Sequence, residues 1–304
     1  MIRTKGIVQL PSVDAIISAD WHIREDVPEC RMDDFQDSMW KKILFVKELQ
    51  EQYNCPVLLG GDLLDYWKPS PELLTKIIEN FPKDIFTVLG NHDLPQHKLE
   101  LVNKCGIRTL QAAKTLTILP GTHWGMPLQR SSLRIKGRKI AIWHIHTWHK
   151  VLPWKNCTSS SATSILKNYD IFDLIITGDN HIPFVIRDNG RLLINPGSLM
   201  RQTADQIDYK PAVWLYSAET NEVSPVYFPI DQKAVSREHL ESKEIRNSRI
   251  EAFITKMNDD WATTLDFEEN LRRFFNTNEI DPEVVDLINE ALNNVKLRKN
   301  GNKR

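Results

Sequence analysis

Residues 172–183, FDLIITGDNHIP, run a short apolar segment into a carboxylate, Asp179, and an imidazole, His181. The apolar part reads as a buried strand. A polar turn would explain one such ending. The same ending recurs, however, in "SADWH" (18–22), "GGDLLD" (60–65), "GNHD" (90–93) and "WHIH" (143–146), each after an apolar run. Singly, each fits a turn or a hydrogen-bonded histidine. Five in order, several with a glycine that permits a tight turn, point to one site at the carboxyl ends of strands, where α/β sheets bind ligands. Carboxylates, an Asn amide oxygen and imidazoles, with no thiol, suit a pair of borderline or hard divalent ions.

The rest of the chain sets the frame. At 304 residues it can bury one large core or two modest ones. No apolar stretch is long enough to span a bilayer, and "MIRTKGIVQLPSVDAIISAD" (1–20) lacks a signal-peptide core with a small-residue cleavage site. A cytoplasmic protein without a membrane partner is expected. Cys30, Cys55, Cys105 and Cys157 are scattered with no CxxC pair, which argues against a structural zinc ribbon and gives no disulfide framework. A formal net charge of −1 argues against simple electrostatic coating of nucleic acid. Local basic runs stand at 129–139 and 296–304.

The order of elements is that of an α/β core. "VDAIISA" (13–19), "PVLLGG" (56–61) and "IFTVLG" (85–90) read as strands. The segment 33–52 sets Phe35, Met39, Ile43, Val46 and Leu49 on one helical face. Ser70 and Pro71 fit an N-cap and first helical position. "TLTIL", "SLRI" and "KIAIW" read as short strands, and 156–170 as a capped helix. Residues 184–195 form a hairpin about Asn189-Gly190, with a second hairpin over 212–228. From about residue 233 the strands give way to three helical segments, at 236–257, 266–275 and 281–297. The expected division is a catalytic domain over 1–232 and a helical region over 233–304.

The ordered motifs resemble the calcineurin-like metallophosphoesterases, whose pattern is DxH, GDxxD, GNH(D/E), H and GHxH. The resemblance covers about residues 13–230, and "NPGS" (195–198) also recurs in that family. It implies a two-sheet β-sandwich of α/β class flanked by helices, here with a helical C-terminal extension. Carried over position by position, Asp20, His22 and His181 would hold one metal. Asn91, His144 and Asp179 would hold a second, and Asp62 would bridge them. His92 would face the phosphate as the catalytic acid or charge stabiliser, oriented by Asp93. His144 and His146 would share a face if their strand continued extended; His144 directly follows the apolar run. Asp179 stands where the family pattern has His. A carboxylate there makes the site more anionic and favours Mn²⁺ or Mg²⁺ over zinc.

The resemblance also narrows the activity to a metal-dependent phosphoester hydrolase. "GDLLDYW" and "GNHD" depart from the protein phosphatases of the family. The loop "IREDVPECRMDDF" (23–35) and "NPGSLMRQTADQ" (195–206) look like segments of SbcD-type and phage DNA repair nucleases. A DNA exonuclease or endonuclease is therefore the expected activity. A small-molecule phosphodiesterase or nucleotide phosphatase is the alternative, and a non-catalytic scaffold a third. "WHIHTWHKVLPWK" (143–155) interleaves aromatic and basic residues that suit stacked bases, with Trp143 expected in the core. Expected partners are DNA, an SMC-like coiled-coil ATPase subunit docking on the apolar stripe of "EVVDLINEALNNVKL" (283–297), and a second copy of the chain. That stripe packing on the catalytic domain is the competing expectation.

Overall fold

The structure is a computed structural model that describes residues 10–121, 124–238, 240, 248 and 267–301. Two compact units divide the chain, Met1–Ser236 and Arg237–Arg304.

In the first unit a six-stranded sheet has the order β11-β10-β1-β2-β3-β4. Its strands are β1 (Ala15–Ser18), β2 (Val57–Leu59), β3 (Ile85–Thr87), β4 (Leu116–Ile118), β10 (Ala212–Ser217) and β11 (Glu222–Tyr227). The run β1 to β4 is parallel, and β10 joins β1 antiparallel. The second sheet has the order β5-β6-β7-β9-β8. It comprises β5 (Ser132–Ile135), β6 (Arg138–Trp143), β7 (Leu174–Thr177), β8 (Phe184–Asp188) and β9 (Arg191–Asn195). Here β6, β7 and β9 are parallel and the edges antiparallel.

Strand alternation explains the layers. Ala15, Ile17 and Leu58 turn inward to meet Ile140, Ile142, Leu174, Ile176, Leu192 and Ile194 between the sheets. Their neighbours Ile16, Val57, Leu59 and Ile85 turn outward to α1 (Phe35–Tyr53) and α2 (Pro71–Asn80). On the far side, Ala141, Trp143, Ile175 and Leu193 lie under α4 (Ala162–Asn168). Buried on both faces, these strands read as unbroken apolar runs. This is the expected two-sheet α/β sandwich flanked by helices.

Local signals act as expected. Asp34 caps α1 by accepting from Asp37 N, and all five expected core residues of that helix are buried. Ser70 caps α2, with Pro71 in its first turn. Asn189 and Gly190 have φ of 50° and 74°, as a two-residue hairpin turn requires. The helix α3 (Gly106–Ala112), which feeds β4 into the first sheet, was not foreseen from the sequence.

In the second unit α5 (Phe267–Thr277) packs on α6 (Pro282–Gly301) through Leu271, Phe274 and Val284, with Ile288 against them. Among the described residues of the α6 stripe, Val284 and Ile288 pack against α5. Most of the expected helix at 236–257 lies outside the described residues. Among the described residues, no helix is long and apolar enough to cross a membrane.

Candidate metal centre

The two sheets present the carboxyl ends of β1, β2, β3, β6 and β7 to one another. Asp20 lies two residues past β1, Asp62 three past β2, Asn91 four past β3, His144 directly after β6 and Asp179 two past β7. The backbone turns sharply to aim these side chains. Asp20, His22, Asp62 and Asp179 all take left-handed φ values, 51°, 44°, 47° and 74°. Asp, Asn and His are the side chains that tolerate that region best after glycine. Close approach is secured by Gly90, where a Cβ would stand 2.0 Å from Asp62 Oδ1. The NPGS turn braces the same loops: Ser198 N donates to His181 O, and Leu199 N to Asp20 O.

One donor group joins Asp20, His22 and His181, whose ligand atoms lie within 4.8 Å of one another. His22 Nε2 faces His181 Nε2 at 3.2 Å. Asp20 Oδ1 accepts from Asp179 N at 3.0 Å, while its buried Oδ2 has no hydrogen-bond partner. Two nitrogens on one cation, each at about 2.1 Å, stand roughly 3.0–3.4 Å apart. The paired imidazoles and the orphan carboxylate oxygen therefore fit a divalent ion.

A second group surrounds His144. Its Nδ1 donates to Gly60 O at 2.8 Å, which leaves Nε2 as the inward-facing nitrogen. That atom lies 3.0 Å from Asn91 Oδ1, 3.2 Å from Asp62 Oδ2 and 3.7 Å from Asp179 Oδ1. Three oxygens converging on a ring nitrogen, with no other donor among them, also make a cation pocket. Asp62 belongs to both groups, since its Oδ2 is 3.7 Å from His22 Nε2. Asp179 stands at the edge of the second group and is one-third exposed. His146 is elsewhere, its Nδ1 3.0 Å from Ser159 Oγ.

His92 is partly exposed beside the first group, its ring 4.7 Å from that of His22. Its backbone N donates to Asp62 Oδ1 at 2.9 Å, and its Nδ1 lies 2.8 Å from Asp65 O. The expected orientation of His92 by Asp93 is not what the structure has. Asp93 is fully buried and accepts from Gly90 N and Leu64 N. Adjacent residues on a turn point apart, so Asp93 fixes the loop backbone and Asp65 holds the imidazole.

Asp65 is the residue that sequence reasoning missed as part of the site. Its Oδ1 lies 3.3 Å from His22 Nδ1 and its Oδ2 3.2 Å from Arg24 Nη1. Carboxylates behind ligand imidazoles set ring orientation and raise basicity. The signal was present as the second acid of "GDLLD".

The electrostatics show a site short of positive charge. Burial, countered by His144 and reinforced by Asp62, pushes the Asp20 carboxyl up to about 7. Burial and then Asp62 push Asp93 up to about 7. Burial would raise Asp62 too, but His144 beside it holds it well below the usual carboxylate range. Burial would lower His144, yet Asp62 and the other acids drive it up to about 10. Burial and the neighbouring His22 bring His181 down to about 4. With neutral imidazoles, Asp20, Asp62 and Asp179 leave three negative charges. Two divalent cations would overbalance them by one, which suits an anionic phosphoryl group.

A model of the calcineurin-like phosphoesterase superfamily domain matches residues 14–215, and the chain belongs to that superfamily. An uncharacterized protein of Methanocaldococcus jannaschii is 28% identical over 144 residues, covering 46% of this chain and 56% of that protein. The match thus spans about half the length of that curated relative. Among solved structures, an archaeal phosphodiesterase is 16% identical with a TM-score of 0.43, covering 70% of this chain and 99% of the other. A metallophosphoesterase from Sphaerobacter thermophilus is 13% identical with a TM-score of 0.39 (72% and 89% covered). Vacuolar Protein Sorting 29 from Cryptosporidium parvum is 18% identical with a TM-score of 0.37 (72% and 100% covered).

Proposed function

We propose that this protein is a phosphodiester hydrolase dependent on two divalent ions, manganese by preference, and that its substrate is DNA. The observation that carries the reading is the set of adjoining donor groups: Asp20 with His22 and His181, Asp62 with Asp20 and His144, and Asp62 with His22 and His92. Asp20, His22 and His181 would hold one ion; Asn91, His144 and Asp179 the other. When bound, such a pair supplies Lewis acidity toward a phosphoryl oxygen and acidifies water. Donation from His92 Nδ1 to Asp65 O leaves Nε2 to carry or deliver a proton to the leaving oxygen. Asp65 fixes the aim of His22 and His92 together. Three carboxylates among the ligands support manganese or magnesium over zinc.

The DNA assignment draws on the loop that follows His144. Lys150, Lys155 and Trp154 are exposed there, with Val151 and Leu152. Cations and an exposed aromatic ring, here set beside His146, suit a single strand with bases stacked beside the scissile phosphate. By contrast, the basic run 129–139 is engaged locally: Lys136 with Asp14, Arg138 with Asp173, Arg134 with Gly137 O. The helical region 233–304 would add contacts to DNA or to a coiled-coil ATPase partner. The test is hydrolysis of linear single- and double-stranded DNA beside a chromogenic phosphodiester, with Mn²⁺. Cleavage of the chromogenic ester alone would reassign the site to small molecules. No cleavage of either would remove the catalytic reading.

A further inference from the structure

Away from the metal-ligand cluster, the start of α1, the chain after NPGS and the segment following β11 line an open-sided cavity of about 190 Å³. Arg31, Lys42 and Arg201 line it, and they are 8%, 8% and 1% exposed. Three cations buried together need counter-charge, and the lining supplies two carboxylates for them, Asp33 and Asp231. Arg31 donates to both oxygens of Asp33 (2.8 and 2.7 Å) and to Arg201 O. Asp33 also accepts from Ser38 Oγ. Arg201 reaches only main-chain oxygens, those of Ile207 and Asp231, and its buried Nε has no partner. Lys42 has one hydrogen bond, to Leu199 O at 3.1 Å, and lies over the Phe228 ring. Burial, then Arg31 and Arg201, push the Lys42 ammonium down to about 7. Among the described residues, Asp33 is the only carboxylate hydrogen-bonded to any of the three.

We propose that this cavity is a binding site for a tetrahedral oxyanion of the phosphate class, held by Lys42 with Arg31 and Arg201 beside it. Guanidinium and ammonium groups together are the usual phosphate-binding set. Phe45 and Phe228 form an apolar wall, which leaves the anion room for an organic substituent. None of the ligand candidates of the metal centre lines the cavity. The two are nonetheless joined by one peptide: Leu199 N bonds Asp20 O, and Leu199 O bonds Lys42.

The test uses the full chain in excess chelator, where the uncompensated carboxylates of the metal centre repel anions. Inorganic phosphate is titrated by calorimetry and by thermal unfolding, with sulfate as competitor and phenyl phosphate as a second ligand. The wild type should bind one phosphate saturably, unfold at a higher temperature with it, and lose it to sulfate. Lys42→Met should remain folded, with an unfolding temperature in phosphate-free buffer at or above that of wild type, because a buried cation is gone. Its phosphate affinity should fall at least tenfold. Tighter binding of phenyl phosphate than of phosphate would make a phosphorylated organic molecule the ligand; equal or weaker binding would make it the free anion. No saturable binding to the wild type, or undiminished binding to Lys42→Met, would overturn the proposal.

Discussion

Asp20→Asn should make the metal-free protein more stable at neutral pH, not less. The carboxyl of Asp20 is fully buried, with one oxygen accepting from Asp179 N and the other unpartnered. Burial and Asp62 raise it from 3.8 to about 7. A folded-state value above the unfolded one means that the folded protein holds the extra proton. The associated stability is complete below about pH 4 and is lost as pH rises through about 7. The interval corresponds to about 4 kcal/mol. Asparagine keeps the Oδ1 acceptor and has no proton to lose. In chelator at pH 8 the variant should therefore exceed wild type by up to about 4 kcal/mol, while near pH 4 the two should agree. Excess divalent metal should reverse the order, because wild type then gains binding free energy that the variant largely forgoes. Urea unfolding at pH 4, 6 and 8, with chelator and with Mn²⁺, measures all of this. A variant less stable than wild type at pH 8 in chelator would refute the reasoning, since the buried charge would then be compensated by something other than a bound cation.

His92→Ala should keep the metal stoichiometry by elemental analysis and lose roughly 10²–10⁴ in rate, the scale of an acid–base group; loss of metal would make His92 a ligand. Asp65→Ala should weaken metal binding by roughly 10–100-fold, as removal of a carboxylate behind a ligand imidazole does, and calorimetry should find the loss in the ion held by His22. Asp179→His should raise relative affinity for zinc and move the pH–rate profile to lower pH, because a neutral ligand leaves the ion a stronger Lewis acid; unchanged metal preference would reduce Asp179 to the residue whose N–H holds Asp20. A chain ending at Ser236 should still hydrolyse a chromogenic phosphodiester and lose DNA processing; an insoluble product would show that the second unit completes the first.

The ligand-bearing strand ends were legible because strands buried on both faces are apolar without interruption, so Asp20, Asp62 and Asp179 stand out as the residues that break the run. Other parts of the site left weaker traces. The period-two rule set His144 and His146 on one face, but β6 ends at Trp143 and the backbone turns, so His144 enters the cluster while His146 meets Ser159. The family resemblance implied Asp93 as the partner of His92, whereas the imidazole is held by a main-chain carbonyl, a contact that no side-chain pattern announces. Arg201 lies far in sequence from Arg31 and Lys42, and each alone resembles an ordinary surface cation. Only the packing of α1 beside the NPGS loop brings them together.

The main chain of the centre holds its donor side chains in place. Left-handed conformations at Asp20, His22, Asp62 and Asp179 cost of the order of 1–3 kcal/mol each, less for side chains that tolerate them. Such conformations persist only where surrounding contacts over-determine them. Here the contacts are specific: Asp20 N to Gly61 O, His22 N to Asp62 O, Asp179 N to Asp20 Oδ1, and Leu199 N to Asp20 O. Main-chain bonds link the turns after β1, β2 and β9, and the Asp20 carboxylate ties in the turn after β7. The fold itself therefore sets the aim of the carboxylates. A cation that enters relieves charge without having to order the chain, so its affinity should depend on ligand charge more than on loop flexibility. That is why the single departure from the family pattern, Asp179 in place of His, should express itself in metal preference before it is seen in structure.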